Sequence, residues 1–248
     1  MKQRGIDYAI LVAAIVLMWQ VAYYFAGPEA ISPPLETVRR LGTLMNGARF
    51  WEHAKSSGIA FIYAGAIALV GGLALGIAIG SSRTADEILT PILSTLYSIP
   101  KIMLYPVILL VFGLGLSARV AFGAMHGFFP VALFAIGAIR NIPPVLLRTG
   151  RVMRLSRLDL ARNILLPAAL PEIVTGLRIG FSTTFLGTLM GEMFASSEGL
   201  GFMMIRAMDI HNVPDIMALT LLAFLVATAA NTVILGVEKR VHSHGSTM

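Results

Sequence analysis

Few side chains in this sequence could do chemistry, and their setting restricts what that chemistry is. Lys101, Arg178 and Glu192 are ionisable groups inside long apolar stretches, where a charge costs at least a few kcal/mol unless it meets a cavity or a partner. At about 100° per residue, Ser182, Phe185 and Thr188 fall with Arg178 and Glu192 on one helix face. A lipid-facing helix would show only hydrocarbon there, so this face is expected to line a path for a solute. Arg178 and Glu192 lie about 21 Å apart along a helix axis and cannot pair with each other. Each has a second reading, a place near a membrane interface with the charge snorkelling or bonded to backbone. Lys101 follows Pro100, whose missing N–H favours a kink; its ammonium either faces the same path or serves the fold. His126, beside Gly127, reads as a satisfied interhelical histidine rather than a proton relay.

Several classes of chemistry are excluded. The chain has no cysteine, so disulfides, thiolate metal sites and cysteine nucleophiles are ruled out together. No carboxylate and histidine cluster has metal-ligand spacing, and the polar residues form no nucleophile or acid/base constellation, which leaves a membrane-embedded enzyme with little support. His242 and His244 fall in a polar tail that reads as a disordered end. No G-x-x-x-x-G-K-[ST] loop occurs, so ATP hydrolysis is not assigned to this chain. The +6 net charge follows from membrane topology better than from nucleic-acid binding, because no basic stretch is interleaved with exposed aromatics.

The elements that must carry these residues are set by hydropathy. Of 248 residues, 56% are hydrophobic and 13% charged, and the mean hydropathy is +0.79, more apolar surface than one soluble core hides. Six spans of membrane length are predicted, at about Tyr8–Ala26, Gly58–Gly80, Leu89–Phe112, Val120–Ile139, Ala168–Ala195 and Ile216–Val237. The first follows Lys2 and Arg4 without a small-residue cleavage site, so it reads as a retained helix rather than a signal peptide. Lipid offers no partner to the backbone, which makes the fold an all-α membrane bundle.

With the N-terminus inside, eleven loop cations are cytoplasmic: Lys2, Arg4, Arg83, Arg140, Arg148, Arg151, Arg154, Arg157, Arg162, Lys239 and Arg240. Six are outside: Arg39, Arg40, Arg49, Lys55, Arg119 and Arg206. That imbalance places both termini in the cytoplasm. The segment 31–57 is either an amphipathic helix on the outer surface or a plain connector. On the fifth span, Gly176, Gly180, Thr183, Gly187 and Gly191 form a narrow stripe for close packing, within the subunit or at a dimer seam.

The longest inner connection, Arg140 to Pro167, carries six arginines against one acid, Asp159. Pro143-Pro144 opens a first short helix; Ser156 with Asp159 resembles a capping box that starts a second, closing near Pro167. Such a loop suits docking to a cytoplasmic partner, or anchoring to anionic headgroups.

The run Gly150-Arg151, Leu155-Ser156 and Ile164-Leu165-Leu166-Pro167 resembles the "EAA" loop of binding-protein-dependent ABC importer permeases. Ser98-Ile99-Pro100, Tyr105-Pro106 and Gly113-Leu114-Gly115 are similar to that family's third span, and Gly191-Glu192-Met193 with Gly199-Leu200-Gly201 to the end of its fifth. Nearly the whole chain, 1–248, is covered as a single permease domain of the type I importer kind, nearest the branch serving nitrate, sulfonates, taurine and bicarbonate.

The resemblance implies a multi-pass subunit of a bacterial inner membrane, paired with a second permease copy, most simply as a homodimer. A cytoplasmic ABC ATPase dimer that binds ATP and Mg, with no cofactor in this chain, and an extracytoplasmic solute-binding protein complete the assembly. The cargo is expected to be a small organic or inorganic anion. A stand-alone secondary transporter, with Lys101 and Glu192 carrying ion coupling, is the rival. The coupling residues would be Arg148, Thr149, Gly150, Arg151, Arg154, Leu155, Ser156, Asp159, Ile164 and Pro167. The copy departs from the pattern: the family's Glu-Ala-Ala falls on Arg148, Thr149 and Gly150, and its glycine falls on Arg154, where only glycine turns left-handed without cost.

Overall fold

The computed structural model describes residues 2–245, and every regular element among them is helical. In chain order they are α1 (Lys2–Ala26), α2 (Pro34–Met45), α3 (Ala48–Gly80), α4 (Arg83–Ser98), α5 (Tyr105–Phe112), α6 (Leu116–Arg140), α7 (Pro144–Val152), α8 (Arg157–Leu160), α9 (Leu166–Ala195), α10 (Leu200–Asp209) and α11 (Val213–Gly245). Five helices are long and apolar enough to cross a bilayer, and six spans result if the bent pair α4 and α5 counts as one.

Small residues set the packing. α6 lies between α3 and α9, and glycines on both neighbours let the backbones approach. A methyl group at Gly76 of α3 would lie 2.5 Å from Cβ of Ala135, and one at Gly180 of α9 would lie 2.4 Å from Val131. No real side chain fits at those separations. The stripe Gly176, Gly180, Gly187 and Gly191 therefore faces α6 of the same subunit, its neighbours being Phe134, Val131, His126 and Arg119. Dispersion across such close contacts is what holds helices together where lipid removes the hydrophobic drive.

The third predicted span differs from expectation. It is two helices bent by 87° rather than one kinked helix. Pro100 drives Ile99 out of the helical region, to φ −64° and ψ 131°, and a 3₁₀ turn at Lys101–Leu104 follows before α5. The inner loop also departs. Its second helix does not close near Pro167: a π-helical turn at Ala161–Leu165 feeds directly into α9, a local widening of the kind that interrupts the regular hydrogen-bond ladder. The last helix continues through His242 and His244 to Gly245 where a disordered tail was expected, and the side chains of these histidines lie outside those described.

Polar ties close the two ends. At the end away from the α7–α8 loop, 31–57 is no plain connector: α2 lies there and Arg40 grips Asp215 of α11 through both Nε and Nη2. At the loop end Arg140 pairs with Asp86 of α4 at 2.9 Å. α1 touches the rest mainly through α2, with Trp19 Nε1 donating to the Ser32 carbonyl at 3.0 Å.

Candidate functional site

The α7–α8 loop forms the two short helices that its sequence predicts. Met153 N donates to the Thr149 carbonyl at 2.9 Å and Leu155 N to that of Gly150 at 3.1 Å, a closure that leaves Arg154 at φ +50°. Arginine thus occupies the left-handed position that a helix end of this kind usually gives to glycine. Ser156 caps α8 as anticipated, its Oγ bonded to the Asp159 carboxylate and accepting from the Asp159 N–H at 3.2 Å. Gly150 is buried, and a methyl group there would lie 2.4 Å from Leu160; this close approach binds the two helices into one unit, with Ile164 half-buried beside it and Pro167 exposed. Arg148, Thr149, Arg154, Asp159 and Arg162 are exposed and Leu155 half-buried. The side chains of Arg151 and Arg157 lie outside those described.

The residues expected along a polar path are not brought together by the structure. Arg178 pairs with Glu238 of α11 at 2.8 Å, so its charge is met inside the fold. Lys101 donates to the Tyr97 carbonyl at 3.0 Å, with its ammonium 4.3 Å from the Tyr97 ring centre. Thr188, 1% exposed, turns toward α6, where Gly123 makes room for its hydroxyl. Glu192 is wholly enclosed. Ser182 is exposed and bonds to its own helix. Phe185 lines a cavity of about 380 Å³ with Phe50, Trp51, Phe61 and Phe181. The cavity that Phe185 lines is apolar, while Arg178, Thr188 and Glu192 meet partners within the fold. His126 bonds the Phe122 carbonyl of its own helix at 2.8 Å, rather than a neighbouring helix.

Glu192 of α9 sits at the centre of a lock that ties three further elements to its helix. Its Oε2 accepts from Ser57 Oγ of α3 at 2.8 Å and from the Gly201 N–H of α10 at 2.9 Å. Arg119 of α6 brings Nη1 to 3.7 Å from Oε1 and also donates to Ser56 Oγ at 2.8 Å. Ser57 Oγ in turn accepts from Leu200 N at 2.8 Å, and His53 Nδ1 accepts from Gly199 N at 3.0 Å. The Gly199-Leu200-Gly201 turn wraps the carboxylate so tightly that a methyl group at Gly199 would lie 2.4 Å from its carbon, and one at Gly201 would lie 2.2 Å from the Leu189 carbonyl oxygen. Gly199 also needs φ +109°, which glycine alone adopts at low cost.

Sequence reading found Glu192 and the glycine turn but missed Ser57, Arg119 and Glu238 as partners. Arg119 offered a signal: it stands at the edge of a run of small and apolar residues in which a charge needs a counter-charge. Ser57 offered none, because its partners lie 135 and 143 residues away.

Beyond α10 a second, polar cavity of about 500 Å³ opens, lined among others by Arg49, His53, Ser197, Arg206 and Asp215. A third, of about 390 Å³, lies beside Lys55, Arg119 and Glu198.

The sequence profile described as "Binding-protein-dependent transport system inner membrane component" matches residues 46–243. The taurine transport system permease protein TauC of Escherichia coli is 29% identical over 208 residues, 82% of this chain and 76% of that protein. The nitrate import permease protein NrtB of Leptolyngbya laminosa is 27% identical over 250 residues, 96% of this chain and 88% of that protein. Among solved structures, an inward-facing methionine ABC transporter, MetNI, superposes with a TM-score of 0.65 at 21% identity, covering 75% of this chain and 93% of the matched one.

Proposed function

Because the chain belongs to the family of inner membrane components of binding-protein-dependent transport systems, we propose that it is the permease subunit of an ATP-driven importer whose cargo is a small organic or inorganic anion. The observation that carries this reading is that the family match spans the bundle and the α7–α8 loop together. The loop presents Arg148, Arg154 and Arg162 to solvent as one packed unit. Its root is fastened to the bundle through Arg140 and Asp86, and through Asn141 donating to Glu172 at 3.3 Å.

In this reading residues 1–248 form one permease domain in a bacterial inner membrane, with both termini cytoplasmic, and two copies make the path. ATP and Mg belong to a separate ATPase dimer, and the solute arrives from an extracytoplasmic binding protein. ATP binding draws the ATPase subunits together and moves the two loops as rigid levers; hydrolysis resets them. The anionic cargo is supported by the names of relatives that serve taurine and nitrate. A stand-alone secondary transporter has less support, since its ion-coupling candidates Glu192 and Lys101 are both engaged by protein groups.

The test is co-expression with an ABC ATPase subunit from the same source. The complex should co-purify, drive ATP-dependent uptake in proteoliposomes, and weaken when Arg148 and Arg162 are changed to glutamate. Uptake that follows an ion gradient without ATP would overturn the assignment.

A further inference from the structure

The cavity beyond α10 sets donors on one side against an apolar wall of Phe202, Met203, Ala207, Ile210 and Leu219. Arg49 at the start of α3 and Arg206 on α10 line it, and neither guanidinium meets an acceptor among the described residues. His53 lines it too; its Nδ1 accepts from Gly199 N, so the neutral ring carries its proton on Nε2 as a free donor. Ser197 adds a hydroxyl. The one acid among the lining residues, Asp215, is taken by the Arg40 fork and by Asn212 Nδ2 at 2.7 Å. Both arginines are exposed, open to a solute arriving from water, and planar guanidinium forks match oxyanions bidentately. A cation would find no free carboxylate among the lining residues.

Resting on the importer reading above, we propose that this cavity receives the oxyanion head of the transported solute and holds it before α10 moves. Leu219 lines both this cavity and the one behind α10, which is about 50 Å³ and otherwise bounded by residues such as Leu200, Met204 and Leu222. That space is too small and too dry for a hydrated anion, so the anion halts at Arg49 and Arg206 until the helix shifts.

The full chain in lipid nanodiscs, titrated with trifluoromethanesulfonate and followed by ¹⁹F line width, tests this. The parent should show saturable broadening that excess ethanesulfonate reverses. The double variant Arg49→Gln/Arg206→Gln should bind at least tenfold more weakly at an unchanged elution volume and thermal midpoint, whereas Arg39→Gln, an exposed cation on α2, should match the parent. Broadening that does not saturate, or that survives in the double variant, overturns the proposal. So does a double variant that keeps anion binding yet no longer holds the solute-binding protein, because the arginines would then serve a protein carboxylate. Co-purification of the ATPase with the parent is scored separately: its loss would sink the importer reading without altering the anion titration.

Discussion

Removing the Glu192 carboxylate should unfasten the end of the bundle that carries α10. The side chain is 0% exposed, and Arg119 beside it is only 5% exposed, so water cannot replace what is lost. Glu192→Ala deletes the acceptor for Ser57 Oγ and the Gly201 N–H, each a bond to a charged group of about 1.5–3 kcal/mol. It also strips the Arg119 guanidinium of its counter-charge 3.7 Å away. Breaking one side of a buried pair costs about 3–5 kcal/mol, and because these contributions share one network they do not simply add. Taking about 4 kcal/mol, and roughly 2–4 °C per kcal/mol for a chain of this length, the apparent thermal midpoint should fall by about 8–16 °C. Size-exclusion thermostability of the purified chain in one detergent reads this directly. Glu192→Gln keeps the shape and one acceptor oxygen, and Arg119 retains Ser56, so its loss should be about half as large. Glu198→Gln, changed at an exposed carboxylate that accepts from Ser56 Oγ at 3.1 Å, keeps an acceptor oxygen there and should move the midpoint by no more than about 1 °C. A Glu192→Ala midpoint within 2 °C of the parent would refute the lock, and so would equal losses for Glu192→Gln and Glu198→Gln.

Arg154→Gly should raise the thermal midpoint, since a side chain in the left-handed region costs about 1–2 kcal/mol and glycine's extra unfolded-state entropy returns part of it; a lower midpoint would show that the arginine's contacts outweigh its backbone strain. Gly187→Leu should abolish assembly of the bundle, with Gly187→Ala milder, because a methyl group already lies 2.6 Å from the His126 ring, whereas Gly65→Leu, with open space at its Cβ, should express and elute normally. In this cysteine-free chain, purified in detergent, Ser182→Cys should react with the small thiol reagent N-ethylmaleimide much faster than Thr188→Cys; equal labelling would contradict the inward turn of Thr188 toward α6. Arg178→Ala should destabilise the chain by about 3 kcal/mol, and Arg178→Ala/Glu238→Ala by clearly less than the two single changes together, as coupled partners require.

Much of the fold is legible in the sequence because lipid simplifies the problem. A long apolar run has only one way to satisfy its backbone, so the helices follow from hydropathy. The glycine stripe on α9 and the capping box at Ser156 are local too. Each depends on residues a few positions apart, and each occurs in the structure where the sequence put it. The same locality explains the errors. Pro100 announces a break but not its 87° angle, which depends on where α4 and α5 settle against α6. Pro167 looks like a stop, yet a proline in the first turn of α9 is as well placed as one beyond a helix end.

The sequence by itself determined the helical bundle, the basic loop, the family and the handful of charges that cannot sit in hydrocarbon unaided. Only the tertiary structure decided what those charges do. Helical spacing put Arg178, Thr188 and Glu192 on one face and suggested a polar lining, but it could not show that Glu238 comes from α11, Arg119 from α6 and Ser57 from α3 to meet them. A buried charge demands a partner within a few ångströms, and nothing in the order of residues states which distant segment supplies it. Once the partners are in place, the cavity beside Phe185 is apolar and Arg49 and Arg206 line the separate cavity beyond α10. Where the charges stand is therefore decided by the packing of helices far apart in sequence.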